Sequence, residues 1–357
     1  MIAYLNEKDK AACAEYEAFV ESCKLGNFMQ SLGWAHVKNN WGHTVLLSKD
    51  ETGAIRGSML LLSRRLPLGL SMLYAPRGPV WRAGEDGVFR ELLEGAKAHA
   101  KKTGAFLLRF DPLILAEDQK EIDLLTGEGF AFTPDMPDYT TTQPRTNYIL
   151  PDLIGKSEEE MLASFKQKCR YNIKVAKKHG VECVICGKEK LDDFVRLSRI
   201  TAERDGFIAR DYSYFERMLD AYGDRIRLYL CYYDGKAISG AITSVYAGVA
   251  SYIYGASDNE YRNVMPNYLM QWEMIRWALE ENCRVYDFMG VPNDCIKGDC
   301  QNGVYRFKAQ FNGKAEAYAG EFDLVLRPLC NRLFLLMQWA HSLPGKLRHR
   351  LRKLKSR

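Results

Sequence analysis

No run of about 18 apolar residues occurs in the 357-residue chain, so no segment reads as a transmembrane helix. The compact catalytic motifs are missing as well. There is no His-Glu-x-x-His, no Gly-x-Ser-x-Gly, no Gly-x-x-x-x-Gly-Lys-Ser/Thr and no Gly-x-Gly-x-x-Gly. Their absence argues against zincin, nucleophile-elbow, P-loop and dinucleotide chemistry. Six scattered histidines and a lone Cys183-Val-Ile-Cys186 offer no second ligand pair at zinc spacing, so no metal site is expected. The ten cysteines lie in unrelated contexts, several inside apolar or helical runs, as reduced cysteines in a cytoplasmic protein do. The N-terminus lacks the apolar core and cleavage site of a signal peptide, which agrees with a cytoplasmic location.

Acid is absent from one long stretch. Residues 327–357 contain nine Lys/Arg and no Asp/Glu. Without them the chain has 41 basic and 45 acidic residues, so a mildly acidic body carries a strongly basic end. That asymmetry implies an anionic partner for the end, a membrane surface or RNA. The remaining composition, 47% hydrophobic and 27% charged, is that of a globular protein with a substantial core, and the length suggests two domains.

What the chain does contain is a long-period repeat. Residues 46–112 read as strand, turn, strand, a third strand ending at Tyr74-Ala75-Pro76-Arg77-Gly78, a helix from about Val88 to Lys102, and a strand closing on Arg109-Phe110-Asp111. Residues 228–290 repeat this: strand, turn, strand, a third strand ending at Tyr254-Gly255-Ala256, a helix from about Asn267 to Asn282, and Tyr286-Asp287-Phe288-Met289-Gly290. A duplicated β-β-β-α-β unit follows. An antiparallel meander leading into a helix and a parallel strand is the GNAT acyltransferase pattern. The expected fold class is therefore α/β (α+β), with two tandem GNAT-like lobes. Neither repeat carries the Arg/Gln-x-x-Gly-x-Gly/Ala pyrophosphate loop of an acetyl-CoA enzyme, which favours another acyl donor.

The linking segments are also legible. Thr140 to Pro151, rich in Thr and Pro, is the natural crossover between lobes. Residues 158–178 read as one amphipathic helix, stopped by Gly180. Its apolar face is Met161, Phe165, Cys169, Ile173 and Ala176, and six Lys/Arg between Lys166 and Lys178 crowd the rest. A strand over 317–326 and a helix from about Pro328 to His341 are expected to return to the first lobe. On that helix Leu329, Leu333, Leu336, Met337 and Ala340 form the stripe expected to dock there. Leu347, Leu351 and Leu354 amid seven bases make residues 346–357 a basic amphipathic tail suited to an anionic membrane surface.

Several stretches in order carry a resemblance. They are Phe28-Met-Gln-Ser-Leu-Gly-Trp34-Ala-His-Val-Lys38, Tyr74-Ala-Pro-Arg-Gly-Pro-Val80, Leu108-Arg-Phe-Asp-Pro112 and Lys168-Cys-Arg-Tyr-Asn-Ile-Lys174. In the second repeat they are Arg204-Asp-Gly-Phe-Ile-Ala-Arg210, the run from Tyr254 to Trp272, Tyr286-Asp-Phe-Met-Gly290 and Tyr305-Arg-Phe-Lys-Ala309. Together they resemble the Fem family of peptidoglycan bridge-forming aminoacyltransferases, of the armless FemX-like type without a coiled-coil arm.

The resemblance implies lobes at 1–145, completed by 317–345, and at 146–316. It implies transfer of an amino acid from aminoacyl-tRNA to a stem-peptide amine of UDP-MurNAc-pentapeptide or a lipid-linked precursor, with no cofactor. By the same resemblance Lys38, Arg210, Tyr214 and Tyr254 contact the UDP-precursor. Phe307 and Lys308 lie near the acyl transfer, with Lys308 stabilising the oxyanion, and Asp111 orients the attacking amine. Trp34, Trp272 and Trp277 read as packing. Two other readings stand beside this one: a non-catalytic tRNA- or membrane-binding protein keeping the fold, and an acyltransferase with another amine acceptor.

Overall fold

The computed structural model describes residues 1–339 except 83, 135, 136, 139 and 299. Ala340 and the tail 346–357 lie outside the described residues. The chain starts with β1 (Ile2–Tyr4), α1 (Lys10–Ser22) and α2 (Leu32–Val37). Then comes the first expected unit. A meander of β2 (Gly42–Lys49), β3 (Ile55–Arg65) and β4 (Ser71–Ala75) leads through the short β5 (Val80–Trp81) into α3 (Asp86–Thr103). Gly104, at φ +72, stops α3 and launches β6 (Ala105–Phe110), which lies parallel to β4. After α4 (Gln119–Gly127) and β7 (Ala131–Phe132), the expected crossover is only half irregular, because its second half is β8 (Thr146–Pro151), a strand of the second sheet.

The second unit follows α5 (Glu158–Ser164), α6 (Gln167–Lys178), β9 (Glu182–Cys186), α7 (Leu191–Asp205) and α8 (Tyr212–Tyr222). It consists of β10 (Ile226–Tyr233), β11 (Lys236–Tyr246), β12 (Val249–Ser257), α9 (Pro266–Glu280) and β13 (Val285–Val291), with β13 parallel to β12. Asp234 and Gly235, both at positive φ, make the tight turn between β10 and β11. With α7 and α8 at 15 and 11 residues, no long helical arm leaves this lobe among the described residues.

The chain ends through α10 (Gly303–Lys308), β14 (Lys314–Ala317), β15 (Phe322–Val325) and α11 (328–339). One sheet runs β1-β2-β3-β4-β6-β15-β7, with β5 on β3, and the other runs β14-β8-β13-β12-β11-β10-β9. The single strand expected over 317–326 is therefore two strands in two sheets, turned by Gly320 at φ +107.

Three further expectations are corrected. The helix expected over 158–178 breaks at Phe165, whose backbone is extended. Phe165 is buried against Trp272 and Phe311, and the Lys166 N–H goes to the Gln310 carbonyl instead of back along the helix. Tertiary partners thus outbid helix continuity. The helix α11 does dock on the first sheet, but of the expected stripe only Met337 takes part among the described residues. Cys330, Phe334 and Met337 pack on Leu70, Met72, Phe106 and Leu107 of the first sheet, while Leu329, Leu333 and Leu336 are exposed. Finally, Cys295 and Cys300 are disulfide-bonded, and the other cysteines are free.

Both lobes share one apolar core. Tyr16, Phe28, Trp34, Leu47 and Leu60 of the first pack with Phe194, Phe215, Met218, Tyr222 and Leu230 of the second. Polar groups pin the seam. The Tyr222 hydroxyl donates to the Phe28 carbonyl at 2.8 Å and lies 3.0 Å from Ser31 Oγ. Glu17 accepts from the Leu32 N–H at 2.7 Å and from the Tyr246 hydroxyl. A shared core predicts that urea unfolds both lobes in one transition. Tyr222→Phe removes a buried hydrogen bond across the seam, while the Phe28 carbonyl keeps those from the Ser31 hydroxyl and N–H, and should lower stability by about 1 kcal/mol without splitting that transition.

Candidate active site between the lobes

Strands β12 and β13 pair only where Val249–Ser251 meet Val285–Asp287. Beyond that β12 stays with β11 as far as Ser257, and β13 stays with β8 as far as Val291. The two strands consequently splay. In the first sheet β4 keeps its pairing to β6 up to Ala75 and Phe110. Only the second unit opens a mouth in its sheet.

The mouth is shaped by a bulge in β13 between Asp287 and Gly290, where Met289 sits at φ 61. A side chain on Gly290 would come within 2.7 Å of the Pro144 ring, so this position needs glycine. The bulge turns the carbonyls of Met289 and Gly290 toward Lys308, whose Nζ donates to them at 3.1 and 2.8 Å. Asn302 caps the short α10 by accepting from the Val304 and Tyr305 N–H groups. Phe307 anchors the helix against Tyr268 and Phe311, at 5.0 and 5.7 Å between ring centres, which leaves Lys308 facing the mouth. Burial pushes the Lys308 ammonium down to about 8, and the neighbouring Asp287 carboxylate pulls the other way.

Asp287 accepts from the Met289 N–H at 2.7 Å and from Asn147 Nδ2 at 2.8 Å. Burial raises its pKa, while those bonds, Lys308 and Arg77 oppose the rise. Arg77 is buried, donates to the Pro144 carbonyl at 2.6 Å and lies over the Tyr318 ring. Asp111 sits behind it. Its two carboxylate oxygens accept from the Tyr74 hydroxyl and the Arg77 N–H, each at 2.6 Å. Burial drives Asp111 up to about 6 against the pull of Arg77 and these bonds. Asp111 is thus the anchor of the Arg77 loop, and Arg77 in turn faces Asp287.

The other four expected residues come together across the lobes. Lys38 Nζ, just past α2, donates to the Tyr214 hydroxyl at 3.2 Å, and that hydroxyl is 3.0 Å from the Tyr254 hydroxyl. The Arg210 guanidinium lies 5.0 Å above the Tyr214 ring and is exposed. Lys38 is 4.4 Å from the Trp34 ring, so Trp34 is more than packing, contrary to expectation. Burial, aided by the Arg210 charge, lowers Lys38 to about 8. This pair of cations beside tyrosine hydroxyls suits a phosphate-bearing ligand.

Among the described residues no hydrogen bond joins this cluster to Lys308 directly; Met289 lies between them. Its side chain packs in the same apolar cluster as Tyr254, and its carbonyl holds Lys308. Met289 also lines an interlobe cavity of about 590 Å³, together with Arg77, Asn147, Asp287 and Tyr318. That volume suits a small ligand. Sequence reasoning overlooked Arg77, Asn147, Asp287 and Tyr318 as site residues. The signal for Asp287 was available, since the repeat aligns it with Asp111.

Known proteins bear on this geometry. The profile of the FemAB family matches residues 11–244 and 234–338. The UDP-N-acetylmuramoylpentapeptide-lysine N(6)-alanyltransferase of Weissella viridescens is 32% identical over 91% of this chain and 96% of its own. A lipid II:glycine glycyltransferase of Staphylococcus haemolyticus is 28% identical over 90% and 93%. The crystal structure of FemX superimposes with a TM-score of 0.83 at 25% identity, over 93% of this chain and 99% of that one. A tandem GNAT protein from the clavulanic acid biosynthesis pathway shares the fold, with a TM-score of 0.58 at 14% identity over 91% and 98%.

The Asp111 carboxyl yields a test that needs no substrate. Its pKa is raised in the fold, so between about pH 4 and 6 the native state holds a proton that the unfolded chain has lost. Its contribution to stability therefore falls as pH rises through that window. Asp111→Asn lacks the dependence. Relative to wild type, the variant should gain on the order of 2–3 kcal/mol between pH 4 and 6.5 in urea titrations; a flat difference would assign the titration elsewhere.

Proposed function

The chain belongs to the FemAB family, and from that premise we propose that it is a peptidoglycan bridge-forming aminoacyltransferase with aminoacyl-tRNA as donor and UDP-MurNAc-pentapeptide, or its lipid-linked form, as acceptor. One observation carries the reading: a buried lysine faces the mouth of the second sheet, on the same side as a cation pair contributed by both lobes. Lys38 and Arg210 take the diphosphate that both acceptor forms share, with the Tyr214 and Tyr254 hydroxyls beside them.

The reaction needs an amine, an ester and a place for developing charge. A stem-peptide lysine amine has a solution pKa of about 10.4 and must shed a proton before attack. Its nitrogen bonds to the ester carbonyl carbon, making a tetrahedral oxyanion. The bond to the tRNA 3′-terminal ribose oxygen then breaks, the amide remains, and that oxygen leaves as a hydroxyl after taking up a proton. Lys308 donates to the oxyanion, and no protein nucleophile is required. Asp111 serves through Arg77 and Asp287, whose charges set the field around Lys308.

The exposed bases of α6, Lys166, Lys168, Lys174, Lys177 and Lys178, offer a surface for tRNA phosphates. α6 adjoins the α10 segment through the Lys166 N–H and the Gln310 carbonyl.

Incubation with charged tRNA and either precursor, followed by mass spectrometry of the product, tests the reading directly. Lys308→Met should lower kcat by about 10²-fold or more, the scale of losing one oxyanion donor, with KM little changed. The charged form of Lys308 disappears as pH rises through about 8, so wild-type kcat should fall on that side and the variant should lack this limb. A variant as active as wild type would remove Lys308 from the oxyanion role, whereas no product from wild type with either precursor would favour a non-catalytic protein keeping the fold. Lys38→Ala and Arg210→Ala should each raise KM for the precursor more than for the tRNA, and unchanged KM in both would remove the diphosphate assignment.

A further inference from the structure

α11 is apolar on two opposite sides. Cys330, Phe334 and Met337 face the first sheet. Leu329 and Leu336, 78% and 61% exposed, lie on the other side with Leu335 and Trp339, and Arg332 falls among them by helical spacing. A soluble surface helix has one apolar face, and a second one this large marks a docking surface.

The surroundings of that face are basic. Arg327 opens the helix and reaches Gly104, just past the exposed Lys101 and Lys102. Arg64 pairs across the sheet with Met72, which packs under α11, so Arg64 projects on the same side of the sheet. Past the described residues, the sequence adds seven Lys/Arg between Lys346 and Arg357 and no acid. Leucines and a tryptophan among cations, with no compensating acid from residue 327 onward, match the chemistry of an anionic bilayer surface: apolar side chains enter the interface and bases meet the headgroups.

We propose that the outward face of α11 docks on an anionic lipid bilayer and that the basic residues around and after it hold the protein there. The inference stands apart from the transferase reading, since it uses no residue of the mouth. The placement is compatible with catalysis at a membrane. α11 covers Leu70, Met72, Phe106 and Leu107 near the starts of β4 and β6, whereas Asp111 follows the far end of β6. Docking by α11 leaves the mouth free to receive a precursor.

The test uses the full-length protein and co-sedimentation with vesicles of phosphatidylcholine, with and without 30% phosphatidylglycerol. Wild type should bind the anionic vesicles at low salt, at least tenfold more weakly without phosphatidylglycerol. The double variant Leu329→Glu, Leu336→Glu changes only exposed positions; it should lose at least tenfold in vesicle affinity while keeping its circular dichroism and its transfer to the soluble precursor. Brominated lipid should quench wild-type tryptophan emission more than that of Trp339→Phe. Wild type failing to co-sediment would overturn the proposal. So would equal binding by the double variant, which would leave the tail alone responsible, or a wild-type dimer that the double variant dissociates without vesicle binding, which would make a second copy the occupant. An unfolded double variant would shift the decision to the quenching: equal quenching of wild type and Trp339→Phe would also overturn it.

Discussion

Strand pairing in the second sheet dictates where chemistry can happen. β12 and β13 are parallel neighbours for three residues, and each then keeps its other partner, β11 or β8. A backbone ladder abandoned on one side leaves peptide groups without sheet partners, and buried peptide groups must find others. The carbonyls of Met289 and Gly290 find Lys308. The ammonium is therefore in place because the sheet is open, and its lowered pKa is a consequence of the burial that the same opening imposes. In the first sheet, where β4 and β6 stay paired to their ends, Asp111, which the repeat aligns with Asp287, is tied to a tyrosine and a backbone N–H. The duplicated unit has thus diverged into one lobe with a mouth and one that braces it.

The brace works electrostatically as well as sterically. Asp111 fixes the Arg77 loop, Arg77 faces Asp287, and Asp287 is the carboxylate nearest in effect to Lys308. One buried acid and one half-buried acid, Asp111 and Asp287, alternate with the two buried bases along this line. Each would be costly alone in a low-dielectric interior, and each is made tolerable by its neighbours. The shared apolar core between α1, α2, α7 and α8 holds the second cluster together, because Lys38 comes from one lobe and Tyr214 and Tyr254 from the other.

Much of this was legible from residues alone. Alternating strands, tight turns and helix stops such as Gly180 are local signals, so the two β-β-β-α-β units stood out, and the motifs around Lys38, Arg210, Tyr254 and Lys308 carried the family resemblance. Local signals failed where distant partners decided. Phe165 looked like one more apolar position on a long helix until Trp272 and Phe311 received it and the Gln310 carbonyl took the next N–H. The strand expected over 317–326 divided because its halves meet different sheets. On α11, Leu329, Leu333 and Leu336 and the set Cys330, Phe334 and Met337 are both apolar at helical spacing, and periodicity cannot say which one finds the sheet.

The sequence by itself determined the duplication, the α/β class, the absence of a spanning helix and the chemical types available at the site, because all of these depend on composition and on spacing within one element. Only the tertiary structure decided that β12 and β13 part, that Arg77 and Asp287 share a field with Lys308, that Trp34 sits beneath Lys38, and that α11 turns a leucine face outward. Those outcomes depend on which backbone and side-chain groups, far apart in the chain, are left without partners once the rest has packed. A buried polar group must be paired by whatever residue the fold brings within reach, and an apolar stripe is covered only if a surface happens to lie against it.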